Sequence, residues 1–163
     1  MHARTTSANR AGNALIGVEL IGADRIYRLV DDLREIDQNK AIKAGLRRGA
    51  NIFIQTGRAN LRARNNKKTG NLLKSMRVRV KKRKLGALAG FSMNYSRMDK
   101  EGYGSHSWLV DRGTVKRKTI KTGKNRGVMP ASYFWTDTKN EASTPAIREI
   151  ENGIITAVER MKR

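Results

Sequence analysis

The chain has 163 residues with 35 Lys or Arg against 14 Asp or Glu, a formal charge of +21; that length suits one domain with a modest core, and that charge opposes compactness unless an anionic or acidic partner lies close by. Cysteine is absent, which excludes disulfide staples, thiolate metal sites and cysteine nucleophiles. No apolar run reaches the length of a signal peptide core or a membrane span, so synthesis and retention in the cytosol, without membrane contact, are expected.

In chain order, residues 1–13 are small, polar and basic with no hydrophobic period, which predicts a mobile arm. LIGVELIG reads as a short strand ending at Gly22. Ile26, Leu29, Val30, Leu33 and Ile36 then recur at three-and-four spacing, predicting an amphipathic helix of about three turns. Asp37 is the candidate N-cap of a second, longer helix, in which Ile42, Leu46, Phe53, Ile54 and Leu61 keep a helical period. Lys40, Lys43, Arg47, Arg48 and Arg58 lie mostly between them and form a cationic outer face.

NNKKTGN breaks the helix with turn-forming residues. In SMRVRVKKRK, Met76, Val78 and Val80 alternate with Arg77, Arg79, Lys81 and Arg83, the period of a half-buried strand. The Leu85-Gly86 pair offers a turn, and ALAGFSMNY returns as a partner strand with Phe91 and Met93 toward the same core. Residues 94–106 read as a loop, and SWLVDRGT as a short buried strand or turn. Residues 114–127 form a protruding basic flap, a second hairpin turning near KTGKNRG. Thr144 followed by Pro145 marks the expected start of a C-terminal helix with Ile147, Ile150, Ile154, Val158 and Met161 along its apolar seam. The sum is a single α+β domain over 14–163: a small antiparallel sheet with long β-hairpins, packed against two N-terminal helices and a C-terminal helix.

The charge is segregated. Residues 38–98 hold seventeen Lys or Arg and no acid, and a second acid-free run after Asp111 holds Arg112, Lys116, Arg117, Lys118, Lys121, Lys124 and Arg126. A continuous electropositive surface is expected. Alternate side chains on a strand stand about 6.6 Å apart, close to the spacing of successive phosphates. The row from Arg77 to Arg83 therefore suits a nucleic-acid backbone, an acidic protein surface, or plain solvation. Aromatics interleaved with these cations are lacking, which argues against a reader of single strands by base stacking, and zinc-finger, helix-turn-helix and RNP signatures are missing too.

Catalysis has little to stand on. His106, between Ser105 and Ser107, is the imidazole best placed for chemistry, but no G-x-S-x-G elbow accompanies it. Asp99, Glu101 and Asp111 suggest magnesium ligands of a nuclease or, more simply, acids that neutralise a basic neighbourhood. Lys121–Asn125 imitates a phosphate loop but lacks its first glycine and its magnesium-binding hydroxyl. Trp108, Tyr133, Phe134 and Trp135 read as core anchors that pin the base of the flap. No enzymatic activity, cofactor or metal is expected.

The order of these motifs resembles the tail-completion (head–tail connector) family of long-tailed bacteriophages over about residues 17–162. Thr69, Gly70, Leu72 and Ser75 match its Thr-Gly, Leu and Ser before a strand; Trp108, Val110, Asp111, Gly113 and Thr114 match its aromatic, hydrophobic, acid and Gly-Thr. Pro130 and Phe134 match the Pro and Phe before its last helix, with three residues between them where the family has a compact pair. Asn65–Lys68 stand where the family usually has a proline, and Asp111 where Glu is common. The resemblance implies a structural protein of the virion neck, present in the host cytoplasm during assembly. It implies a ring, usually a hexamer, joining the head connector or adaptor to the tail terminator or tail tube. Residues 1–13 and the flap from Lys116 to Arg126 are the candidate contacts between subunits. The remaining cations, led by Arg77, Arg79, Lys81 and Arg83, face acidic neighbouring rings or, alternatively, DNA passing through the neck. A nonspecific nucleic-acid-binding protein is the rival reading.

Overall fold

The computed structural model describes the backbone of residues 2–7 and 16–21, and residues 24–64, 70–92 and 104–163. Strands β1 (His2–Ser7), β2 (Ile16–Ile21), β3 (Met76–Val80) and β4 (Ala87–Phe91) form an antiparallel sheet in the order β1-β2-β4-β3. The helices are α1 (Asp24–Val30), α2 (Glu35–Arg64), α3 (Asn71–Ser75), α4 (Ser107–Arg112) and α5 (Phe134–Met161). The fold is α+β, with the antiparallel sheet against α2.

The long helices α2 and α5 run antiparallel and hold most of the core. Ile42, Leu46, Phe53, Ile54 and Leu61 are buried on α2, and Ala142, Ala146, Ile150, Ile154 and Val158 on α5. Small residues let the two backbones nearly touch. A Cβ at Gly49 would lie 2.4 Å from Cγ1 of Ile150 and 2.8 Å from the carbonyl oxygen of Ala146. Farther along, Gly57 leaves room for the indole of Trp135, whose Cζ3 would stand 2.5 Å from an added Cβ. Phe91 of β4 meets Trp135 edge-on at 4.8 Å between ring centroids and Phe134 at 6.0 Å, joining sheet to helix pair.

Several expectations are corrected. The C-terminal helix begins at Phe134, and Pro145 lies inside it. Proline removes one helical bond and costs about 3 kcal/mol; here Ala142 and Ala146 are buried on either side of it, so packing against α2 carries the helix through. The first helix ends at Val30: Ile26 and Val30 are buried, whereas Ile36 is 70% exposed and belongs to α2. Asp37 sits inside the first turn of α2 and caps nothing; its carboxylate accepts from Arg34 Nη2 at 3.0 Å and Lys40 Nζ at 2.9 Å.

Strand β3 stops at Val80, so Arg77 and Arg79 share its exposed face while Lys81 and Arg83 belong to the turn before β4. Within the expected arm, His2–Ser7 pairs with β2 in the register Arg4 to Glu19; backbone ladders require no hydrophobic period. Met93, Thr69, Asp99 and Glu101 lie outside the described residues.

Candidate interaction site

The motif SWLVDRG folds as a helix, and its acid organises the start of the last helix. Asp111 is buried at the end of α4. Its Oδ1 accepts the backbone N–H of Trp135 at 2.7 Å and of Thr136 at 3.2 Å, and its Oδ2 accepts the Thr136 hydroxyl at 2.7 Å. A carboxylate on the free N–H groups of a helix start satisfies orphan donors and the positive end of the dipole together. The Asp111 carbonyl also accepts from Tyr133 N at 2.8 Å, and the Val110 carbonyl from Ser132 Oγ at 2.7 Å. With both carboxylate oxygens engaged, Asp111 acts as a clamp between α4 and α5.

Gly113 leaves this clamp at φ 74°, packed so closely on the return chain that a Cβ would lie 2.6 Å from the Met129 carbonyl oxygen. Glycine is required there on both counts. Thr114 then pairs with Met129 and Lys118 with Asn125, making an irregular hairpin. Thr114 Oγ1 accepts from Met129 N at 3.0 Å, and Gly123 N donates to Thr119 O at 2.8 Å to close the tip. Lys116, Arg117, Lys118, Lys121, Lys124 and Arg126 are all exposed on it, as are Val115 and Ile120. No helix begins at the tip, residues 124–133 being non-helical, so the phosphate-loop likeness ends there.

Trp108 does not pin the flap. It is 42% exposed on α4, and Tyr133 is 54% exposed, whereas Phe134 and Trp135 fill the core. Val110 is the half-buried residue of α4 that packs on that core, and Pro130 lies exposed on the flap's return. Among the described residues, no carboxylate bonds the ring of His106, and no three potential ligands cluster as a metal site.

The segment from Gly70 to Ser75 is held by local packing as well. Gly70 takes φ 74° to start α3, Leu72 is buried, and Ser75 Oγ donates to Leu72 O at 2.8 Å. Ser75 O accepts from Ser92 N at 2.7 Å, tying α3 to the end of β4. A Cβ on Gly104 would come within 2.7 Å of Ser75 Oγ, so this serine joins three segments.

Between α2 and β3, the last strand in the described sheet order, runs an open groove of about 630 Å3, lined by Arg47, Asn51, Arg58, Lys74, Arg77 and the β3 apolar row. No acid lines it. Arg58 donates to Met76 O at 3.2 Å, holding its guanidinium at the strand edge. Sequence reasoning found Arg47, Arg58 and Arg77 but passed over Asn51 and Lys74. The signal was the four-and-seven spacing of Arg47, Asn51 and Arg58, which puts all three on one face of α2. By contrast Lys43, whose Nζ donates to Lys82 O at 2.9 Å, serves the β3–β4 turn.

No protein-family model matches the chain, and comparison with curated proteins and with solved structures finds no match.

Proposed function

We propose that this chain is a ring-forming structural protein of a bacteriophage neck, placed between the head connector and the tail and taken up into the virion from the host cytoplasm. The observation that carries this reading is the Asp111 clamp. Residues of two separately recognised family-like motifs, Trp108–Thr114 and Pro130–Phe134, meet there at the base of one cationic hairpin. Such a hairpin, exposed along nearly its whole length, gains a partner only by reaching another molecule. Its six cations, with Arg77 and Arg79 on β3, favour acidic faces of adaptor or tail rings, where complementary charge sets partner choice and encounter rate. The role is structural, without cofactor or catalysis. Particles assembled without this chain test it: adding the purified protein to their heads and tails should restore joining, and unchanged separation of heads from tails would refute it.

A second reading, nonspecific nucleic-acid binding, is favoured by the acid-free flap, since Lys and Arg binding phosphate release counterions. Duplex affinity falling steeply with salt, from a protein that stays monomeric, would select it.

A further inference from the structure

The geometry points to the α2–β3 groove as the socket for a second copy of this chain, occupied by the acidic corner at the α1–α2 junction of that copy. This inference rests on the ring reading above and names the two faces that would close the ring. Residues 31–37 hold Asp31, Asp32, Glu35 and Asp37 against Arg34, a net of −3 within a chain of +21. No other seven-residue window is as negative.

Asp37 is already occupied by Arg34 and Lys40, whereas Asp31 and Glu35 are exposed and make no ion pair among the described residues. Asp32 has only Lys162 at 3.5 Å, on a side chain 83% exposed. Near these acids in sequence stand Tyr27 and Ile36, apolar side chains that are 53% and 70% exposed. The groove is the complement: a strip of Val78 and Val80 flanked by Arg47 and Lys74.

Within one molecule the two faces are separated. From residue 35 to residue 47 along α2 the rise is about 18 Å, beyond the screening length of about 8 Å at physiological salt. Neither face neutralises the other in its own chain, and each fits the other on a neighbour. Different surfaces meeting head to tail make a heterologous contact, which propagates until the rotation closes.

The test uses the full chain in two forms. Arg47→Glu with Lys74→Glu reverses the socket, and Asp31→Lys with Asp32→Lys reverses the corner. All four side chains are exposed, and Glu35 is left alone because an acid suits the first turn of α2. Assembly is followed by native mass spectrometry and sedimentation. Each variant alone should need about a hundredfold more protein to assemble than the unaltered chain. Mixed in equal amounts, they should form even-numbered rings with alternating subunits, because each then meets opposite charge on both faces. Variants that assemble as readily as the unaltered chain would overturn the inference while leaving the ring reading standing, and so would a mixture that stays apart. An unaltered chain that never assembles would overturn both. Loss of duplex-DNA binding on socket reversal, with assembly unchanged, would place phosphate in the groove and overturn the second-copy assignment.

Discussion

Asp111 and Trp135 are joined across 24 positions of sequence by a 2.7 Å hydrogen bond from a backbone N–H to a buried carboxylate. That bond begins α5, fixes the aromatic cluster and seats the hairpin. Fold and proposed docking element therefore share one residue.

Replacing Asp111 by alanine strands the buried N–H of Trp135 and takes an acceptor from the N–H and hydroxyl of Thr136. We expect a loss of about 2–4 kcal/mol in urea unfolding, with weakened amide protection at Thr114 and Met129. Asp111→Asn, which keeps one acceptor oxygen, should lose about half as much. An alanine variant as stable as the parent would show that the clamp is incidental.

Gly49 reverses a general rule. In an exposed helix, glycine to alanine stabilises by about 0.5–1 kcal/mol. At Gly49 the new methyl would lie 2.8 Å from backbone and 2.4 Å from Ile150, so the helices must part. Gly49→Ala should cost about 1–3 kcal/mol by thermal or urea unfolding.

Much of this fold was legible because periodicity reports burial. Ile42 to Leu61 marked α2, and the Met76–Val80 alternation marked β3. What misled was local chemistry overruled by tertiary packing. Thr144-Pro145 carries every mark of a helix start, yet Ala142 and Ala146 are both buried against α2, so the helix runs through. Phe134 and Trp135 belong to its first turn. Leu29 and Ile36 kept a helical spacing without being buried, because Leu33 falls in the break between two helices. Of the site, the cationic hairpin could be read from charge alone. The groove could not, since Lys74 joins Arg47 and Asn51 only when α3 turns β3 against α2.

Charge reversal on β3 and the turn that follows it separates folding from docking. Arg77, Arg79 and Arg83 are exposed, so changing all three to Glu should leave a folded subunit with an unchanged circular dichroism spectrum. Tail joining should fail. Normal yields of infectious particles from that triple variant would remove these cations from the interface.

Asp37 supplies a pH test. Hydrogen bonds from Lys40 and then Arg34 hold its carboxyl below the ordinary aspartate value of 3.8. A carboxyl depressed in the folded state stabilises fully above 3.8 and loses that contribution as pH falls through its folded value. Carboxyl-carbon NMR should therefore place its midpoint below 3.8. The stability gap between the parent and Asp37→Asn should be present at neutral pH and close in acid.

The most direct measurement is cryo-electron microscopy of particles carrying this chain with a small fused density marker. The account predicts a closed ring of marker density at the neck, between the head vertex and the first tail disc. Marker density absent from the neck, or spread through the packaged DNA, would contradict it.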